Sequence, residues 1–115
     1  MEAFELADLR AARRAADRRY LEFIKSADLS IGLYELPAGG VDPQGPHTED
    51  EVYYVVSGRA TILVGEENRP VMPGSVVFVA ANVVHRFHQI EEDLVILVAF
   101  GPAEGSQATR VHGSA

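Results

Sequence analysis

The chain has no cysteine, no tryptophan and only two methionines, and it is short of positive charge, with ten basic residues against seventeen acidic ones. Without cysteine, every disulfide, thiolate-metal and cysteine-nucleophile scheme is excluded, so a bound metal must rest on histidine, carboxylate or amide ligands. The net charge of −7 repels phosphate backbones and anionic membranes, so neither nucleic acid nor membrane is an expected partner. No apolar run approaches the ~18 residues of a membrane-crossing helix, and residues 1–17 lack the apolar core of a signal peptide. A cytoplasmic protein is the resulting expectation. The composition is otherwise ordinary, 47% hydrophobic and 23% charged, and 115 residues suffice for one hydrophobic core.

The charge is unevenly spread. Residues 1–19 carry five arginines against four acidic residues, whereas the remainder is strongly acidic. Leu6, Leu9, Ala12 and Ala16 recur at spacings of three and four among alanines, which predicts an amphipathic helix from about Glu5 to Asp17. This helical arm, residues 1–19, is expected to cover a barrel edge or a neighbouring subunit. From Tyr20 the texture changes to short Val, Ile, Leu, Tyr and Phe segments broken by Gly, Pro, Asn and acidic clusters, the pattern of an all-β sandwich or barrel over residues 20–101. Strands are predicted over Tyr20–Lys25, Leu29–Leu36, Val52–Val56, Ala60–Val64, Val76–Val79, Val84–Gln89 and Leu94–Phe100. Breaks fall at Pro37–Gly40, Ser57–Gly58, Gly65–Asn68, Pro73–Gly74 and Glu91–Asp93. Residues 102–115 read as a small, polar tail.

Of four histidines, His47 and His85 fall at predicted strand ends beside turn signals. His47 and Glu51 cannot share a metal on a straight strand, where four residues span roughly 13 Å. Ligand atoms must each lie about 2.0–2.2 Å from the ion. They can share one if the chain reverses at Thr48-Glu49-Asp50. Strand alternation then points Glu51, Tyr53 and Val55 one way and Val52, Tyr54 and Val56 the other. A carboxylate on the inward face of a barrel calls for a cation. His85 and Phe87 share one face of a later strand and can converge on the same cavity.

These residues resemble the cupin superfamily, whose two motifs run G-x5-H-x-H-x3,4-E-x6-G and G-x5-P-x-G-x2-H-x3-N. Glu51 stands at the first motif's distance from Gly58, and His47 falls on its second histidine. The stretch from Gly74 to His85 matches the second motif at both ends. The resemblance spans roughly Ser30 to Phe100 and implies a jelly-roll β-barrel with a short N-terminal helix. It also implies one divalent metal held by His47, Glu51 and His85. The chain departs from the pattern where the first histidine is replaced by Gly45. The adjacent Gln44 offers an amide oxygen, and a kink at Gly45-Pro46 would bring it to the face of His47. In the second motif Ala80 and Asn82 replace Pro and Gly, with Asn82 expected to supply the positive φ.

The remaining candidates receive plainer readings. Glu49 and Asp50 read as a solvated acidic turn, His88 as a surface residue, and His112 as part of the tail. Tyr53 and Phe87, each two residues beyond a proposed ligand, are the expected walls of a substrate pocket, ahead of Tyr34 and Phe100. The donor set suits Fe, Zn, Mn or Ni. Expected is a small-molecule partner handled by dioxygenase- or isomerase-type chemistry, or bound without chemistry in a sensing module, in a homodimer presenting the outward Val52, Tyr54 and Val56.

Overall fold

The computed structural model describes residues 1–105. Of the 102–115 tail, residues 106–115 lie outside the described residues, and His112 with them. In chain order the elements are α1 (Leu6–Ala16), β1 (Tyr20–Lys25), β2 (Ser30–Leu36), β3 (Asp50–Val64), β4 (Glu67–Val71), β5 (Val76–Val79) and β6 (His85–Gly101). All pairings are antiparallel, in the order β1-β2-β6-β3-β4 with β5 also on β3.

Two predicted breaks lie inside continuous strands. Ser57-Gly58 and Glu91–Asp93 face each other within β3 and β6, where the ladder register slips repeatedly between Val55 and Thr61. Gly58 has a φ of 96°, and a Cβ there would stand 2.2 Å from the Asp93 carbonyl oxygen. The turn formers therefore bend long strands instead of ending them. The two halves of each strand then face one interior: Tyr53, Val55, Ala60 and Ile62 of β3 pack with Phe87, Ile90, Leu94, Ile96, Val98 and Phe100 of β6 in a single core. This closes the sheet into an all-β jelly roll. Strand β4, absent from the sequence reading, is polar, holds Pro70 and lies at the end of the strand order, where a missing N–H is tolerated.

The helix packs on the outer face of its own sheet. Leu9 joins Leu33 and Val95 in a second cluster, with Leu6, Phe23, Val56 and Leu97 around it. Val56 is thus partly covered, while Val52 and Tyr54 stay exposed. Arg10 and Arg13 clamp the helix to β2 through Glu35, at 3.1 and 3.0 Å. Burial alone would raise the Glu35 pKa, but the two guanidiniums outweigh it and hold the carboxyl below its ordinary value.

Candidate metal centre

Three elements converge on the site. His47 lies in the irregular connection before β3, Glu51 is the second residue of β3, and His85 opens β6. Strand β5 pairs Val79 with Glu51, and the chain then reverses through residues 80–84, which returns His85 over the carboxylate. Asn82 supplies the turn with a φ of 67° and donates its N–H to the His47 carbonyl at 2.6 Å, linking the two motifs directly. The bend at Thr48 and Glu49 reverses the chain between His47 and Glu51.

His47, Glu51 and His85 each offer one ligand atom within 4.8 Å of the others. The Glu51 and His85 side chains are 1% exposed, with Oε1 and Nε2 3.1 Å apart. Nevertheless, both Glu51 oxygens and His85 Nε2 lack a hydrogen-bond partner, because the two groups are close but misaligned. Burying such atoms unpaired is unfavourable by several kcal/mol on the order-of-magnitude scale for ionised groups, and a cation among them removes the penalty. The donor set thus fits a divalent metal. His85 Nδ1 donates to the Val83 carbonyl at 2.9 Å, which fixes the tautomer with its lone pair on Nε2. Burial disfavours the charged imidazole, but Glu51 and the Val83 carbonyl outweigh it and raise the His85 pKa.

Gln44 points the right way. Its Oε1 lies 3.2 Å from His47 Nε2 and accepts the Tyr53 hydroxyl at 3.1 Å, while its Nε2 donates to Asp42 Oδ2 at 2.9 Å. Residues 41–47 are outside any strand, so strand alternation does not govern them and Gln44 reaches the face of His47 from irregular backbone. Asp42 was missed in the sequence, where a single acid before proline carries no signal. It is buried and accepts four bonds, from Tyr34 Oη, Phe87 N, Gln44 N and Gln44 Nε2.

The pocket beside the cluster encloses about 230 Å³ and is lined by Tyr20, Tyr34, Gln44, His47, Phe100 and Glu104, among others. Tyr53 and Phe87 do not line it: they are fully buried in the core, their rings 4.9 Å apart, with Tyr53 behind His85 at 6.1 Å. As the strand alternation requires, they follow their ligands inward, but further along the barrel they meet packing instead of space. Burial, then neighbouring carboxylate, pushes the phenols of Tyr53 and Tyr34 far above their ordinary value, so both remain donors. Glu104, just past β6, places Oε2 3.6 Å from His47 Nδ1, with burial holding its pKa up against the attraction of the imidazole. Glu49 is not solvated as expected: it is 2% exposed and accepts the Thr48 hydroxyl, whereas Asp50 is exposed and accepts the Ala81 N–H. His88 lies outside the cluster against Asn68.

Comparison with known proteins agrees with this fold. The Cupin domain family matches residues 32–100. An uncharacterized protein of Streptomyces coelicolor is 55% identical over 104 residues, covering 90% of this chain and 99% of that protein. Among solved structures, TT1209 of Thermus thermophilus is 28% identical with a TM-score of 0.70, covering 90% of this chain and 99% of that one. KdgF from a Halomonas species is 20% identical with a TM-score of 0.68, over 76% of this chain and 81% of that one. The DMSP lyase DddQ of Ruegeria pomeroyi is 23% identical with a TM-score of 0.65, over 74% of this chain and 48% of that one. The last two share the fold.

Proposed function

The chain belongs to the cupin domain family, and from that premise we propose that it holds one divalent cation of the Fe, Zn, Mn or Ni group and acts on a small polar molecule. The ligands are His47, Glu51 and His85, with the Gln44 oxygen as a fourth. The observation that carries this reading is the convergence with His47 of three buried atoms that lack a hydrogen-bond partner, Glu51 Oε1, Glu51 Oε2 and His85 Nε2. A cation held there supplies Lewis-acid polarisation of a substrate oxygen or redox chemistry with O2, which are the requirements of isomerase- and dioxygenase-type reactions.

The chain's own residues do the rest. Tyr20, Tyr34 and Phe100 form an apolar wall that excludes water from one side of the ligand, and the Asp42 network holds Gln44 with its oxygen toward His47. At about 230 Å³ the pocket is below the ~300–1,000 Å³ range of drug-sized ligand sites, so it takes a small molecule. Elemental analysis of freshly purified protein tests the metal, with a His47→Ala/His85→Ala variant as the control. About one ion per wild-type chain and almost none in the variant is expected; equal, negligible metal in both ends the reading. A substrate screen under oxygen then separates turnover from binding alone, since His85→Ala abolishes the first and only weakens the second.

A homodimer is part of the same proposal. Val52 and Tyr54 on β3 stand directly opposite Phe78 and Val76 on β5, and all four are exposed on one sheet face. The occupant we assign to this face is a second copy of the chain.

A further inference from the structure

Half of the chain's ten basic residues line one groove. Arg10, Arg13, Arg14, Arg18 and Arg19 surround about 460 Å³ between the end of α1, the segment after it, β2 and the middle of β6. The groove shares no lining residue with the pocket beside the metal cluster. Three carboxylates, Asp17, Glu35 and Asp93, line it too, which leaves an excess of two positive charges in a chain whose net charge is −7. Arginines in the last turn of a helix offset its dipole, and this accounts for Arg13 and Arg14. It does not account for Arg18 and Arg19, which lie beyond the C-cap at Asp17. Nor do the carboxylates absorb the set: Glu35 takes Arg10 and Arg13, Asp93 accepts the Ala38 N–H, and Arg14 and Arg18 form no ion pair among the described residues.

Three of the guanidiniums are already held. Glu35 takes Nε and Nη2 of Arg10 and Nε of Arg13, Arg13 Nη1 donates to the Arg18 carbonyl at 2.6 Å, and Arg19 Nη1 donates to the Val41 carbonyl at 3.1 Å. Such bonds fix the guanidinium planes before a ligand arrives, which lowers the cost of ordering them, and each guanidinium, with five N–H groups, keeps donors to spare. We propose that this groove binds a small molecule carrying a phosphate or diphosphate group, as a second site independent of the metal centre. A carboxylate presents one edge to one guanidinium fork, whereas a phosphoryl group offers oxygens in several directions and more than one charge, which suits several guanidiniums around one space. A singly charged anion gains less and still meets three carboxylates. The volume falls in the ~300–1,000 Å³ range of small-molecule sites, and Pro37 and Leu94 give the rest of the ligand an apolar side. The acidity of the whole chain does not forbid such a ligand, because at physiological ionic strength charges more than ~8 Å away are largely screened and the local excess decides.

Arg14→Gln/Arg18→Gln removes two exposed charges of the groove and leaves the Arg18 carbonyl in place for Arg13. Arg69→Gln/Arg86→Gln changes the net charge equally at two exposed arginines outside the groove. Wild type and both variants, stripped of metal so that no ion competes for the probe, are titrated calorimetrically with pyrophosphate and with acetate at about 0.1 M sodium chloride, where charges beyond ~10 Å are screened. Wild type is expected to bind pyrophosphate with a Kd below about 1 mM and acetate not measurably. The groove variant should bind pyrophosphate about tenfold more weakly, as expected for loss of charge-assisted donors that are partly screened, and the control variant within about twofold of wild type. Amide shifts in wild type should cluster at residues 10–19 and 35–37. Absent binding in wild type, equal weakening in both variants, or shifts centred on His47 and His85 overturns the proposal. If the groove variant fails to fold, the wild-type shift map decides alone.

Discussion

Asp42 accepts the side-chain amide N–H of Gln44 at 2.9 Å, and this bond decides which end of that amide faces His47. With nitrogen committed to Asp42, the oxygen turns to the cluster, where it also takes the Tyr53 hydroxyl. The same carboxylate caps the Phe87 N–H and the Tyr34 hydroxyl, so one buried acid ties the connection before β3 to β2 and β6.

Asp42→Asn therefore tests positioning with almost no change in volume. The new amide places an NH2 group against donors that previously met oxygen, leaving at least one buried donor unsatisfied. A loss of about 2–3 kcal/mol in urea unfolding is expected. Metal affinity should fall about 10–100-fold, the usual consequence of losing a group that orients a ligand. Cobalt titration reads the second effect. Unchanged affinity would show that Gln44 needs no such support.

Glu51→Gln separates stability from function. In the metal-free protein the Glu51 carboxylate is buried 3.1 Å from His85 Nε2 with neither oxygen hydrogen-bonded, so a neutral amide of the same shape relieves a desolvation penalty. Metal-free protein should become as stable as wild type or up to about 1 kcal/mol more stable, while metal uptake is nearly abolished. A large loss of metal-free stability would mean that the carboxylate is held by the imidazole of His85 alone, without need of a cation.

Much of this was legible in the sequence, and the rest was hidden for definable reasons. The helix, its alternating face, and the inward set Glu51, Tyr53 and Val55 follow from periodicity, which burial in a barrel enforces. Histidines at the right distance from Gly58 and Gly74 marked the cluster, because Gly58 bends β3 and Gly74 lies in the turn into β5, the strand that pairs with Glu51. The glycine and acidic signals at Ser57-Gly58 and Glu91–Asp93 misled, since the residues that end strands also bend them. Strand β4 was invisible because an exposed edge needs neither an apolar face nor every N–H. Asp42, Tyr20 and Glu104 escaped because what brings them to the site is chain crossing, which no local pattern records. Glu49 looked like its exposed neighbour Asp50 until its burial was seen.

The Glu35 clamp makes the helix acid-sensitive. Its folded pKa is lowered, so the stability it contributes is fully present above the unfolded value of about 4.3 and is lost as pH falls through the folded value. The Glu35 side chain is 11% exposed and Arg13 17%, but Arg10 is 35% exposed and partly screened, so the clamp is placed at about 1–2 kcal/mol. Glu35→Gln should lose that amount at pH 7 and show a shallower decline of stability below pH 4 than wild type. Parallel decline of the two proteins across that range would assign the acid sensitivity to other carboxylates.

The proposed homodimer rests on the sheet face of Val52, Tyr54, Val76 and Phe78. Phe78 is 60% exposed and Val76 65%, values that are unfavourable for large apolar side chains left in water but ordinary for residues at the centre of an interface between copies. Across the β3–β5 ladder Val52 meets Phe78 and Tyr54 meets Val76, so the four make one continuous patch instead of scattered contacts. A charge at its centre should then be costly only in the assembled form. Phe78→Lys is expected to convert the dimer to a monomer in sedimentation equilibrium while leaving the strand content by circular dichroism and the metal content unchanged, because the side chain points away from the core and the cluster. A wild-type protein that already sediments as a monomer, at concentrations up to about 100 μM, would remove the second copy as the occupant of this face.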